Sequence, residues 1–416
     1  MKRIILAIAL SAMACVSCEK TAGQKPNPEE STEVNPEENP LNKIELDTRS
    51  EAFVQRGKSF AFEFVRRVNE GRKKSFVISP LSMQFLLGMI LDGARGETAD
   101  EICRVLGYEA GDVQAADAFA LSMLEQLPAV DKETTLSIAD AVFVNNRCSI
   151  LDSYRTSVVQ NYDATVSDLD FSDVGEATNR INQWCSDHTN GMITHVLDQV
   201  DATVPAYLMN AVYFKSRWKE PFPADATSQE KFLDEEGKES TVPMMKNAGS
   251  FLYQENEHFS AVRLPYGNGA FQMTVILPQK GRTVQDVVSV LDAHGWSEIT
   301  YLWSMREVDV WLPRFETKFH IDLNQLLIEM GMPTAFEELK ADFGAMSPQA
   351  LFLSQVMQDA VIKVDEEGTE AAAVSTGMFA TSVPQYSTFH ADHPFLYLIT
   401  ESSTDAILFA GKFSGE

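Results

Sequence analysis

Basic residues are scarce in this chain of 416 residues: Lys and Arg number 34 against 60 Asp and Glu, a formal charge of −26. Nucleic acid needs a basic patch to neutralise its phosphates, so this balance excludes it as a partner. The acidity argues instead for solubility and for long-range attraction to basic partners. Cysteine is scarce too, with five in all. Away from the N-terminus only Cys103, Cys148 and Cys185 remain, a scattered trio that makes no disulfide framework and reads as buried small apolar side chains. Signature motifs of catalysis are missing: no G-x-S-x-G elbow, no H-E-x-x-H pair and no P-loop. The run "YGNGAF" lacks the third glycine of a dinucleotide fingerprint and reads as a hairpin turn. His188 and His195 stand around Gly191, which breaks the helix that would align them. His390 and His393 flank Asp392 just before a strand and read as turn residues. No metal and no cofactor is therefore expected. A hydrolase with a Ser-His-Asp triad and no local motif is the one enzyme reading left.

The first residues read as an export signal. Lys2 and Arg3 form a basic start, and Ile4 to Ala14 form an apolar stretch too short to span a bilayer. It ends in "ACVSCEK", which resembles a bacterial lipoprotein signal, with Cys18 the lipidated residue and Cys15 an alternative. Cys15 and Cys18 also spell C-x-x-C, but within a cleaved signal a redox or metal role has little support. Residues 18–47, rich in Pro, Glu, Asn and Thr, read as a disordered tether. The expected organisation is a lipoprotein signal peptide over 1–17, the tether over 18–47, and one folded domain over 48–416. The expected location is a bacterial cell envelope, with the exported domain held to the outer membrane, on its periplasmic or surface face, through the lipid on Cys18.

Periodicity within the domain is mixed. Phe53, Phe60, Phe64 and Val68 recur at helical spacing, predicting a helix over 50–70 that ends near Gly71. "SFVISP" reads as a short strand and "LSMQFLLGMILDGARG" as an apolar helix. Thr98 and Glu101 have the spacing of a capping box opening the next helix. "LSIADAVFVNN", "AYLMNAVYF" and "AVRLPYGNGAFQMTVILP" read as strands, the last a hairpin turned at Gly267-Asn268-Gly269. "EVDVWLPRFETKFHID" and "HPFLYLITESSTDAILFAGKF" add more. Helices first and hairpins later point to an α+β fold with a mainly antiparallel sheet.

One stretch resists assignment: "EEGTEAAAVSTGMFATS", residues 366–382. Acid stops at Glu370, and from Ala371 to Ser382 there is no charge. As a strand, Thr369, Ala371, Ala373, Ser375 and Gly377 would share one face, all small and uncharged. A surface loop explains small residues but not the missing charge in so acidic a chain. A segment that is loop in one state and buried strand in another explains both.

These residues resemble the serpins, and the likeness runs from about residue 48 to Glu416. "VDEEGTEAAA" resembles the family's reactive-loop hinge, and "FVISPLSM", "NAVYFKSRWKEPF", "VPMMK", "LPRFE" and "HPFLYLI…ILFAGK" match further serpin segments in order. The resemblance implies the serpin fold: a large central, mainly antiparallel sheet, further sheets, eight or nine helices and an exposed reactive loop over about 366–390. It implies a monomeric inhibitor of serine proteases, and by extension of papain-like cysteine proteases, and no catalytic residues. A protease cuts the loop, and the hinge then inserts into the sheet before the acyl-enzyme hydrolyses. The implied hinge is Glu366, Glu367, Gly368, Thr369, Glu370, Ala371, Ala372 and Ala373, with Thr369 the first side chain to enter the sheet. Ser79, Ser82 and Asn210 fall on the shutter, where Gln358 stands in place of the family's usual histidine; an amide can still donate and accept there. Trp218 falls at the breach, and Arg314 is expected opposite Glu366. Family spacing counted from Gly368 places the cut between Ser382 and Val383, with Thr381, Met378, Phe379 and Tyr386 as alternatives. No Lys or Arg lies between Glu370 and Phe395, so elastase-like or chymotrypsin-like targets are favoured over trypsin-like ones. A non-inhibitory serpin, cleaved as an ordinary substrate, is the alternative.

Overall fold

Helix dominates the first part of the chain. In the computed structural model, which describes residues 39–369 and 387–416, α1 (Thr48–Asn69) starts where the Asp47 carboxylate accepts the Ser50 N–H. Phe53, Phe60, Phe64 and Val68 lie buried along it, and Gly71 follows at a φ of 68° that ends helical winding. Next come β1 (Phe76–Ile78) and α2 (Pro80–Gly93), the latter capped by Ser79 with proline in its first turn. Apolar on nearly every side, α2 is buried on nearly every side. The chain continues through α3 (Gly96–Leu106), α4 (Val113–Gln126), β2 (Thr135–Asn145), α5 (Asp152–Tyr162), β3 (Thr165–Leu169) and α6 (Val174–His188).

Sheet then takes over, with β4 (Ala206–Arg217), β5 (Ser228–Leu233), β6 (Glu239–Glu255), β7 (Phe259–Pro265) and β8 (Phe271–Pro278). Two short helices, α7 (Val284–Val290) and α8 (Ala293–Tyr301), lead to β9 (Ser304–Pro313), β10 (Phe315–Asp322) and α9 (Asn324–Met330). Last come β11 (Val356–Asp365), the two-residue β12 (Gly368–Thr369), β13 (Ser387–His390), β14 (Phe395–Glu401) and β15 (Ile407–Phe413). The expected hairpin is β7–β8, with Gly267 and Gly269 at positive φ in its turn.

Among the described residues this is an α+β fold of nine α-helices and two sheets, as expected. One sheet has nine strands, in the order β1-β15-β14-β8-β7-β6-β9-β13 with β5 beside β6. The other has six, in the order β10-β11-β12-β4-β2-β3, and it holds the site. It is mixed: β11 runs parallel to β4 and β2 parallel to β3, while the remaining pairings are antiparallel.

The two faces of the six-stranded sheet differ. Leu208, Val212, Phe214, Ala360 and Ile362 point into the main core with α1, α2 and the nine-stranded sheet. Tyr207, Met209, Ala211, Tyr213, Met357 and Val361 point the other way and are covered by Ala177, Ile181, Trp184 and Cys185 of α6. Strand alternation sorts these two sets.

One local reading is corrected. Thr98 and Glu101 do not form a capping box: α3 begins after Arg95 without a side-chain cap. Their oxygens accept from the segment after α9 instead, Thr98 from Asp342 N–H at 3.0 Å and Glu101 from the Thr334 N–H and hydroxyl, each at 2.8 Å. A buried carboxylate takes whichever donors tertiary packing brings to it. Among the described residues a capping box forms instead at Thr283 with Asp286, on α7.

Candidate functional site

Gly368 and Thr369 lie in the six-stranded sheet, between β4 and β11. Thr369 pairs with Ser216 on one side and Val364 on the other; Gly368 pairs with Arg217 and Asp365. A Cβ on Gly368 would collide with the Ser216 carbonyl and come within 2.6 Å of Arg217 Cα, so only glycine lets the chain lie this close to β4. Thr369 is fully buried, and its hydroxyl shares a 2.8 Å hydrogen bond with Tyr266 Oη. Just below, β11 and β4 pair directly, from Val361 with Tyr213 down to Val356 with Leu208. The sheet is therefore forked: strand β12 fills its mouth and a parallel seam closes the rest.

Aromatic packing holds the mouth. Trp218 stacks on Tyr266 at 4.3 Å between ring centroids, with the planes 11° apart. Its indole N–H donates to Asp365 O at 2.9 Å and its backbone N–H to Glu367 O at 2.7 Å. Phe222 N–H donates to Glu366 O at 2.7 Å. Arg314 faces Glu366 with an Nη2 to Oε1 distance of 3.2 Å, and the Thr227 hydroxyl donates to the same oxygen at 2.7 Å. The turn into the hinge is thus held by its own carbonyls as well as by its charge.

A polar cluster crosses the closed seam. Gln358 on β11 and Asn210 on β4 are register partners, and Gln358 Nε2 donates to Asn210 Oδ1 at 2.8 Å. The same amide nitrogen donates to Ser79 O at 3.0 Å, while its oxygen accepts the Ser79 N–H at 2.9 Å. Ser79 Oγ donates to Leu408 O of β15 at 2.6 Å. Asn210 Nδ2 donates to Ser82 Oγ and, at 2.8 Å, to Asp140 Oδ1. All five side chains are buried. Glutamine here engages both its oxygen and its nitrogen, with a group that does not titrate.

Asp140 was missed by sequence reasoning. Its signal was a lone carboxylate inside the apolar strand "LSIADAVFVNN". Burial pushes its pKa up to about 7 against a single hydrogen bond from Asn210. On the face toward α6, Asp359 is also buried and held up by burial, while its carboxylate holds the His320 pKa up across a 2.8 Å contact.

The other sequence candidates stay apart. His188 Nδ1 lies 2.7 Å from Trp184 O, at the C-terminus of α6, and His195 lies 2.7 Å from Asp198. His393 sits between Asp392 and Pro278 O, and His390 packs on Trp311. No group of three potential metal ligands occurs among the described residues. Cys103 and Cys185 are buried and Cys148 half-buried, all as free thiols. Cys18, the hinge residues Glu370, Ala371, Ala372 and Ala373, and the cut-site candidates Met378, Phe379, Thr381, Ser382, Val383 and Tyr386 lie outside the described residues.

Comparison with known proteins agrees with this geometry. Residues 55–415 match the family described as Serpin (serine protease inhibitor). Serpin B6 of Macaca fascicularis is 34% identical over 371 residues, covering 86% of this chain and 97% of the relative. The leukocyte elastase inhibitor of Xenopus laevis is 31% identical, covering 85% of this chain and 97% of its own. Among solved structures, that of tengpin, a thermophilic serpin in its native state, superposes with a TM-score of 0.82 at 25% identity, covering 90% of this chain and 96% of the other.

Proposed function

This chain belongs to the serpin family, which is one of protease inhibitors and not of enzymes, and from that premise we propose that it is a suicide-substrate inhibitor of serine proteases. The observation that carries the reading is the forked sheet, with Gly368 and Thr369 seated at its mouth above a closed seam. A target protease adds its serine hydroxyl to the carbonyl at the bond between Ser382 and Val383. The peptide bond breaks, an ester to the protease forms, and the new amine at Val383 departs as the leaving group. The freed hinge then extends β12 downward, parting β4 from β11 and adding a ladder on each side. Residues 371–382 carry no charge to bury. Insertion outruns hydrolysis of the ester, and the protease is trapped.

Without a basic residue in the loop, trypsin-like enzymes lack a side chain for their pocket. Elastase-like and chymotrypsin-like targets are favoured, with papain-like cysteine proteases a further class. The name of the amphibian relative, a leukocyte elastase inhibitor, points the same way. The chain works as a monomer, lipid-anchored at Cys18 and displayed on a bacterial envelope, where its charge of −26 attracts basic proteases.

The test mixes the chain with elastase-, chymotrypsin-, trypsin- and papain-type enzymes and runs denaturing gels. A covalent complex with a small C-terminal peptide is expected, and the mass of that peptide fixes the bond. Ala371→Arg, the next residue on the inward face after the already seated Thr369, should turn inhibitor into substrate, because insertion would bury an unpaired charge at a cost of several kcal/mol, roughly 3 or more. Cleavage by the whole panel with no complex and full residual protease activity would sink the reading in favour of a non-inhibitory binding module.

A further inference from the structure

The fork in the six-stranded sheet has a chemistry of its own. Strand β12 pairs with Ser216 and Val364, and the β4–β11 seam begins at Tyr213 and Val361. Between these levels lie two unclosed rows, Phe214 with Ile362 and Lys215 with Lys363. The phenylalanine and isoleucine point into the main core. By alternation the two lysines point to the opposite face, the one Tyr213 and Val361 share with α6. Both are half-buried. Neither makes an ion pair or side-chain hydrogen bond among the described residues. Two acids beside Lys363 are already engaged. Glu316, the register partner of Lys363 on β10, is paired with Lys318 at 3.3 Å. Asp365 accepts the Glu367 N–H at 3.1 Å and feels the Lys363 charge from within its own strand.

Two like charges facing each other across neighbouring strands repel and weaken the pairing at that level. They therefore stand where the seam must begin to open. Thr369 pairs with Ser216 and Val364, so one more residue in the same antiparallel register falls opposite Lys215 and Lys363 at once. On insertion that residue would be Glu370, which alternation from the inward Thr369 would turn to the face of the lysines. It is also the only charged residue between Thr369 and Ser382. We propose that Lys215 and Lys363 form a two-cation acceptor for Glu370, which captures the hinge at the first step of strand insertion. Insertion sets the lysines two strand spacings apart, about 4.8 Å each, with the carboxylate between them. Repulsion is replaced by attraction, and the step becomes hard to reverse.

This inference rests on the inhibitor reading above, and its test separates the two. The full chain is used with a protease of the panel that forms the covalent complex, and the number of inhibitor molecules consumed per protease inactivated is measured. With two exposed-to-half-buried ion pairs lost, Lys215→Gln with Lys363→Gln should raise that number by about threefold, while the uncleaved chain, relieved of the repulsion, melts no lower than wild type. Glu370→Gln should act in the same direction. Glu370→Lys alone should be worse, and combining it with Lys215→Glu and Lys363→Glu should restore the wild-type ratio. A merely structural role for the lysines would lower the melting of the uncleaved chain and would not be rescued by the swap. An unchanged ratio in the double variant, or a swap without rescue, overturns the proposal. Should the wild-type chain form no complex at all, the inhibitor reading fails by itself. The same variants are then compared by the gain in melting temperature after the loop is nicked. A smaller gain for the double variant than for wild type would uphold the acceptor, and equal gains or no gain in wild type would overturn it.

Discussion

The two sheets of this protein are built on opposite terms. Inside the nine-stranded sheet, β14 pairs with β15 on one side and β8 on the other, and every residue of β14 and β15 is buried. Leu396, Tyr397, Leu398 and Ile399 are fully enclosed, and nothing there can part without wetting the core. The six-stranded sheet has a parallel seam at its centre, and that seam carries Asn210 and Gln358 with Asp140 beside it. Hydrogen bonds lost when such a seam opens can be remade to an incoming strand, whereas lost apolar contacts cannot be. One sheet is scaffold; the other is the sheet proposed to receive a strand.

The sharpest way to break the comparison is to damage the scaffold. A Cβ at Gly411 of β15 would overlap the Tyr397 ring and lie 2.6 Å from Phe76 O. Gly411→Val should cost about 3 kcal/mol or more through overpacking, read as a large drop in urea midpoint for the whole chain. A variant that melts like wild type would show the closed sheet to be less tightly knit than its packing implies.

Smaller is the effect at the seam, where Asp140 keeps its proton up to about pH 7 against an ordinary value of 3.8. Between those two values the folded chain binds a proton that the unfolded chain has lost, so stability falls as pH rises through that window and levels off above it. The shift corresponds to about 4 kcal/mol at most, and an amide in its place leaves a buried donor short of a partner, at about 2 kcal/mol. Asp140→Asn should thus be about 2 kcal/mol more stable than wild type at pH 8, with the advantage gone by pH 5. Parallel pH profiles for the two chains would show that the carboxylate is not held in the folded state as its burial implies.

Least costly is the mouth. Arg314 is about half exposed, so its attraction for Glu366 is partly screened. Arg314→Glu replaces attraction by repulsion, worth about 1 kcal/mol, and loosens the hinge without unfolding the domain. The expected outcome is faster conversion of heated monomer to polymer or to an inactive monomer, followed by size-exclusion chromatography and residual inhibition. A variant that stays monomeric and active on heating would assign the hold on Glu366 to Thr227 and the Phe222 N–H instead.

Local chemistry made much of this legible. The buried face of α1, the hairpin turn at Gly267 and Gly269, and the apolar all-round α2 each follow from residues a few positions apart. The failure at Thr98 and Glu101 marks the limit: the spacing was right for a cap, but the donors came from residues 334–342, far along the chain. Asp140 was hidden for the same reason, since its partner Asn210 comes from another strand.

By itself, then, the sequence determined the composition of the hinge: a glycine to approach β4, a threonine to bury, one acid and an uncharged run behind it. These are demands on single side chains, and single residues answer them. Tertiary structure alone decided where the sheet forks, which lysines face the slot there, and that an acid lies beneath the seam. Those are matters of register between strands far apart in the chain, and register is set by how the faces pack.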